Sequence, residues 1–183
     1  MKPSWSNVAN AVGYQAVWFA TLISASKGNM WLGFAISLIF ASLMIRFGGK
    51  AKQDRRILMI GLILGVSIDT MFAANGWIHY ALPWPVIGFA PLWIIALWVS
   101  FTATLNHSMA FLRGNYAIAA LFGFIGGPLA YFFADRAFNV IEYGSNFIWV
   151  MVGLGICWGI VIPGIFYIDT RLSLQTKPNG ATA

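Results

Sequence analysis

Residues 48–56 read GGKAKQDRR, and residues 57–77, which follow directly, read ILMIGLILGVSIDTMFAANGW. The first stretch is a charge run; the second is apolar throughout and carries a single acid, Asp69. A hydrocarbon core about 30 Å thick accepts roughly 20 apolar residues as a helix, so the pair reads as a charged loop entering a membrane-crossing helix. Working outward with the same ruler predicts six spans, at about 8–26, 29–47, 57–79, 92–112, 115–134 and 146–168. Between the third and fourth lies LPWPVIGFAP (82–91), where Pro83, Pro85 and Pro91 stop a helix and the tryptophan suits an interfacial loop. The polar residues 170–183 read as a flexible tail. The expected fold is all-α: one polytopic transmembrane domain over 1–183, with both termini cytoplasmic.

Composition supports this and excludes the alternatives. With 60% hydrophobic and only 9% charged residues, the chain cannot coat a soluble domain of its size. At 16% aromatic it does not belong among disordered chains. Cys157 is the single cysteine, so no intramolecular disulfide forms. Two histidines, one cysteine and five scattered acids give no zinc-ligand spacing, and neither a metal nor a cofactor is expected. Nor is there a nucleotide loop, a nucleophile elbow or an HExxH helix.

The cations set the orientation. With the amino terminus inside, Lys2, Arg46, Lys50, Lys52, Arg55, Arg56, Arg113, Arg171 and Lys177 fall in the cytoplasm, and only Lys27 and Arg136 fall outside. These loops account for the net charge of +6 without any nucleic-acid partner. Trp31, Trp77, Trp84, Trp93 and Trp149 then fall near the outer interface, as an anchoring belt. A competing reading takes the first span as a signal peptide cut near Ser24-Ala25-Ser26, but Asn10, Tyr14 and Gln15 interrupt its apolar run.

Polar side chains inside spans need a partner or a purpose. Asp69 shares a helical face with Leu62, Gly65, Ala73 and Gly76, small enough overall for a neighbouring helix to come close, so it should face protein. In the fourth span Thr102, Asn106 and Arg113 share a face, with His107 in the adjoining groove. Gln15 reads as deep in the first span. Asp69, His107, Asn106, Gln15 and Arg113 therefore form the candidate ligand-binding set, gathered in one buried polar site in which Asp69 and His107 could exchange a proton. Each also has a structural reading: helix glue for Asp69 and Gln15, a core hydrogen bond for His107, snorkelling for Arg113. Gly126, Gly127 and Pro128 predict a kink or break in the fifth span, whose freed carbonyls must be buried or line a wet cavity.

NAVGYQAVWF (10–19), ID (68–69), PLWIIALW (91–98), TLNHSMAFLR (104–113) and GGPLAY (126–131) resemble a family of small bacterial inner-membrane proteins classified only as a domain of unknown function. The resemblance runs along nearly the whole chain. It implies a bacterial multi-pass protein and no established reaction, and it draws attention to the Asn106–His107 pair. Thr70 stands where that family often has serine, and it keeps the hydroxyl.

Three function classes follow. The favoured one is a protein that binds or translocates a small or lipid-like molecule at the buried polar site. The alternatives are a membrane-embedded enzyme acting on a lipid or isoprenoid, and a non-catalytic accessory subunit whose polar residues are glue. A homo-oligomer or another membrane partner is compatible with all three. An open cavity reaching Asp69 favours the first two, whereas a depth difference of more than about two helical turns between Asp69 and His107 ends the shared site and favours the third. Reporter fusions after Gln53 and Gly180 should read cytoplasm and one after Ile87 periplasm; a periplasmic signal at Gly180 would mean a miscounted span.

Overall fold

The computed structural model of the protein describes residues 5–175. Among these the chain forms six α-helices: α1 (Trp5–Ser26), α2 (Met30–Phe47), α3 (Ala51–Ala74), α4 (Leu92–Thr102), α5 (Tyr116–Phe138) and α6 (Phe147–Gln175). All but α4 are long and apolar enough to cross a membrane. The outer surface is rich in Val12, Ile39, Ile63, Leu121, Ile125 and Ile160, each half exposed or more. A soluble protein would hide these side chains; a helical membrane bundle turns them to lipid.

Local chemistry explains the helix starts. Gly28 and Gly114 take positive φ, which only glycine adopts freely, and each precedes an asparagine that caps the next helix. Asn29 accepts from the Trp31 and Leu32 amides at 3.0 and 3.1 Å, and Asn115 accepts from the Ile118 amide at 3.1 Å. Asn146 does the same for α6.

Two short strands lie at one end, β1 (Ile78–Tyr80) and β2 (Ile141–Tyr143), antiparallel with His79 opposite Glu142. At three residues each they fall below what alternation can signal, and the helical reading placed residues 78–79 inside the third span. This strand end also holds the α1–α2 turn, where Trp31 meets Trp84. The opposite end collects the α2–α3 loop, the start of α1 and the last turns of α6, and with them most of the cations; we call it the basic end.

Three expectations need correction. The fourth span is not one helix: α4 stops at Thr102 after eleven residues, about 16 Å, and turns fill 103–109 before a 3-10 turn at Ala110–Leu112. The cause is local. Hydroxyls of Ser100, Thr102 and Thr104 bond back to carbonyls three or four residues earlier, competing with the helix ladder. Second, α5 continues unbroken through Gly126, Gly127 and Pro128. Pro128 cannot bond to the Phe124 carbonyl. That oxygen instead faces α6, where a methyl added to Gly155 would stand 3.0 Å from it. The freed carbonyl is thus covered by the neighbouring helix and lines no wet cavity. Third, α6 runs on to Gln175, so residues 170–175 are helical and not a loose tail; residues 176–183 lie outside the described set, as does Lys2.

The core is aromatic and glycine-fitted. Trp93 and Phe72 are fully buried, and Trp98 stacks on Trp158 with ring centroids 4.5 Å apart. α5 and α6 pack closest of all, because Gly123 and Gly127 leave room for the Trp158 backbone and ring. α1 belongs to this core through Leu22, which is fully buried. A methyl at Gly123 would collide with the Trp158 carbonyl, whereas at Gly126, three residues on, it would meet only the Phe122 ring at 4.0 Å, an ordinary contact. Gly123→Ala should therefore destabilise the detergent-solubilised protein by about 1–3 kcal/mol while Gly126→Ala changes it little, read by thermal unfolding. Equal effects would mean that α5 and α6 are not so packed.

Candidate functional site

Polar groups gather at two centres on α3, and one stripe explains both. Asp54, Ile57, Gly61, Gly65, Asp69 and Phe72 are all buried on its inner face, at near-heptad spacing. Asp54 and Asp69 are fifteen residues apart, roughly 22 Å along the axis.

At the basic end, Asp54 accepts a hydrogen bond from Asn106 Nδ2 at 2.8 Å, and its other oxygen lies 3.1 Å from His107 Nε2. Asn106 Oδ1 accepts from Arg113 Nη2 at 2.8 Å, and its backbone carbonyl accepts from Lys50. Arg113 also reaches Asp169 at 2.9 Å, and its guanidinium lies 5.0 Å from the Phe166 ring centre. Arg56 bonds the same Asp169 and reaches Ser173 Oγ at 2.5 Å. From α1, Asn10 donates to the Ala103 carbonyl at 3.2 Å and accepts from the Ser108 hydroxyl at 2.6 Å. The irregular segment 103–109 is thereby pinned by α1, α2–α3 and α6. Backbone groups freed from a helix in an apolar bundle require such partners. Every charge in this clasp faces an opposite charge or a hydrogen bond, and Gly48 closes directly on the His107 ring.

The second centre surrounds Asp69, which is fully buried. Oδ1 accepts from Tyr80 Oη at 2.7 Å and from Tyr131 Oη; Oδ2 accepts from Trp98 Nε1 at 2.6 Å. Three neutral donors from β1, α5 and α4 thus converge on one carboxyl group. Gly65, one turn earlier, has no side chain because the Trp98 ring occupies its place. The next residue, Thr70, accepts from the Ala90 amide at 3.2 Å and ties down the loop before α4.

Beside this centre α1 and α5 part, and an aromatic cleft opens between them. Tyr14, Trp18, Phe101 and Trp158 line it, with Trp98 and Tyr131 in its wall; its volume is about 460 Å³ counting the open mouth. Past Tyr14, Trp18 and Ala130 it continues into an open groove, about 760 Å³ counting the space at its mouth, that includes Gln15, Phe19 and Phe133. Phe19 and Phe133 are about half exposed, so the mouth opens on the lipid-facing side.

The five residues singled out from sequence therefore do not form one site. Asn106, His107 and Arg113 join in the clasp, although the helical face assumed for them does not exist. Asp69 lies roughly 22 Å along α3 from Asp54, the partner of His107, and the shared site fails on that distance. Asp69 does face protein, with a fourth-span partner in Trp98. Gln15 is exposed on α1 and lines the groove. Sequence reading missed Asp54, hidden in a charge run that explained itself as a topology signal; the buried stripe through Gly61 and Gly65 was the signal that could have found it. Asp169 falls between the sixth span and the tail and carries no signal of its own there. Tyr80, Trp98 and Tyr131 converge on Asp69 from 11, 29 and 62 residues away, and no spacing reveals that. Among the described residues no group of three or more His, Cys, Asp or Glu side chains comes together to hold a metal.

Residues 7–164 match the family described as "Protein of unknown function (DUF2878)", and the chain belongs to it. No curated protein and no solved structure matches.

The geometry at Asp69 gives a specific expectation. An asparagine has one acceptor oxygen and one amide nitrogen, so it cannot accept from the tyrosines on one side and from the indole on the other. Asp69→Asn should destabilise by about 1–3 kcal/mol, and combining it with Trp98→Phe should cost less than the sum of the two. Strict additivity in thermal unfolding would mean the indole bond does not form.

Proposed function

We propose that this protein binds a lipid-like molecule in the cleft between α1 and α5, entering from the bilayer side, and that it is a multi-pass protein of the bacterial inner membrane with its basic end in the cytoplasm. The observation that carries the reading is the cleft's position: Trp98 and Tyr131, two of the three donors to Asp69, stand in its wall. An occupant would touch the side chains that hold a buried carboxyl group. The cleft's lining is aromatic and aliphatic throughout, which suits hydrocarbon and not a sugar or nucleotide. The orientation rests on the nine cations that fall at one side against two at the other.

The two alternatives fare differently. The enzyme reading relied on Asp69 and His107 as acid and base, and these are too far apart to exchange a proton directly. The accessory reading gains from the same separation and from the clasp, whose groups satisfy one another. What speaks for a binding protein is an open cleft that reaches the donors of Asp69.

Ala130 borders both parts of the cleft, and a large side chain there would fill it. Protein purified from its host membrane should carry an extractable apolar compound, enriched over bulk lipid by mass spectrometry. Ala130→Trp should carry about a tenth as much or less, a loss of ~1.4 kcal/mol in binding, with its unfolding temperature kept. Equal content in both would remove the binding reading and leave the accessory one.

A further inference from the structure

Gln15 sits midway along α1, ten residues from its first residue and roughly 15 Å from either end. In a helix that crosses the membrane, this position falls near the middle of the hydrocarbon layer. Its side chain is exposed and lines the groove that continues the cleft. Tyr14, beside it, lines both parts; its ring packs on Phe101. Among the described residues neither the Gln15 amide nor the Tyr14 hydroxyl has a hydrogen-bond partner. A bare amide facing hydrocarbon is costly, since no water reaches that depth.

We infer that the ligand of this cleft is an otherwise hydrocarbon lipid that carries a neutral hydroxyl or carbonyl oxygen at mid-bilayer depth, held by Gln15 and Tyr14. The inference rests on the cleft reading above and adds the chemistry of the occupant. A phospholipid does not fit, because its oxygens lie at headgroup level and only methylene groups reach the midplane. A charged molecule does not fit either: the nearby carboxyl group, Asp69, already accepts three donors, and ions are expelled from this depth. The amide offers two donors and an acceptor and the phenol one of each, so the pair can grip either a hydroxyl or a carbonyl. The aromatic cleft then takes the chain or ring behind that oxygen, as an isoprenoid alcohol or a quinone would present it.

The test compares farnesol with farnesene, nearly the same chain with and without its hydroxyl, added to the full-length protein in phosphatidylcholine vesicles and measured by mass spectrometry after purification. Wild-type protein should retain the alcohol about ten times better than the hydrocarbon, the worth of one hydrogen bond in a dry site. The Gln15→Leu/Tyr14→Phe double variant should lose that preference and still retain the hydrocarbon, and Ala130→Trp should lose both probes. Equal retention of both probes by wild type, or retention of neither, overturns the inference. In that case loss of a co-purifying apolar compound in Ala130→Trp would still leave the cleft reading standing, whereas an inert Ala130→Trp removes both. Conversion of a dimer to a monomer by Gln15→Leu, with alcohol retention unchanged, would assign the amide to a second copy of the chain and also overturn it.

Discussion

The indole N–H of Trp98 donating to Asp69 is the constraint around which the rest is arranged. A carboxyl group left to lipid at the centre of a spanning helix is unfavourable by at least about 2.5–3.5 kcal/mol on insertion scales. It can be kept only by surrounding it with donors. Among the described residues no cation pairs with Asp69; its donors are an indole and two phenols, each bringing its own element. Trp98 draws α4 onto α3, and the empty side-chain position at Gly65 is the condition for that approach. Tyr131 draws α5, Tyr80 fixes β1, and the Trp98–Trp158 stack brings in α6. One buried carboxyl group thus orders four elements that the hydrophobic effect alone would leave free to slide, since lipid solvates apolar faces as well as protein does.

Drawing α4 inward has a consequence at its other end. The helix is only eleven residues, about 16 Å, and the chain continues beyond it as turns through 103–109. Turns inside a bilayer expose amides and carbonyls, and the clasp is the answer to that exposure. Asn10 and Lys50 take carbonyls of Ala103 and Asn106, while Asp54 fixes the Asn106 and His107 side chains. Removing a member of such a network strands its neighbours as unpaired buried groups. The clasp and the Asp69 centre are therefore two supports of one short helix, not two halves of one active site.

How far the sequence foretold this depends on range. The five long helices follow from runs of apolar residues and their caps, because hydrophobicity over twenty residues is a local property. That Asp69 must face protein was legible from the small residues beside it, and Gly65 proved to be where Trp98 enters. The end of α4 was not legible by periodicity: residues 92–112 keep a helical pattern, and the hydroxyl back-bonds that end the helix compete with it at small margins. The clasp was half legible. Asn106, His107 and Arg113 stood out as polar residues in an apolar run, whereas Asp54 and Asp169 lay in charged stretches that position and topology already accounted for. Their burial depends on contacts more than fifty residues away, such as Asp54 with Asn106 and Arg56 with Asp169.

The cleft follows from how its two walls are held. α5 is committed to α6, where glycines let backbone meet backbone and a methyl at Gly123 has no room. α1 is committed to α2, because Gly33 lies against the Thr21 backbone with no room for a methyl, and to the clasp through Asn10. Neither helix can leave its partner to close on the other without giving up close packing that lipid cannot replace. The gap between them is thus fixed by contacts on their far sides. Its lining is equally committed: Trp98 is held by Asp69 and Trp158, Tyr131 by Asp69, and Tyr14 by Phe101. Side chains so engaged cannot swing in to fill the space, so filling falls to something that is not part of the chain. On the reading proposed above that filler comes from the lipid phase, and the amide of Gln15 at the mouth selects what it carries.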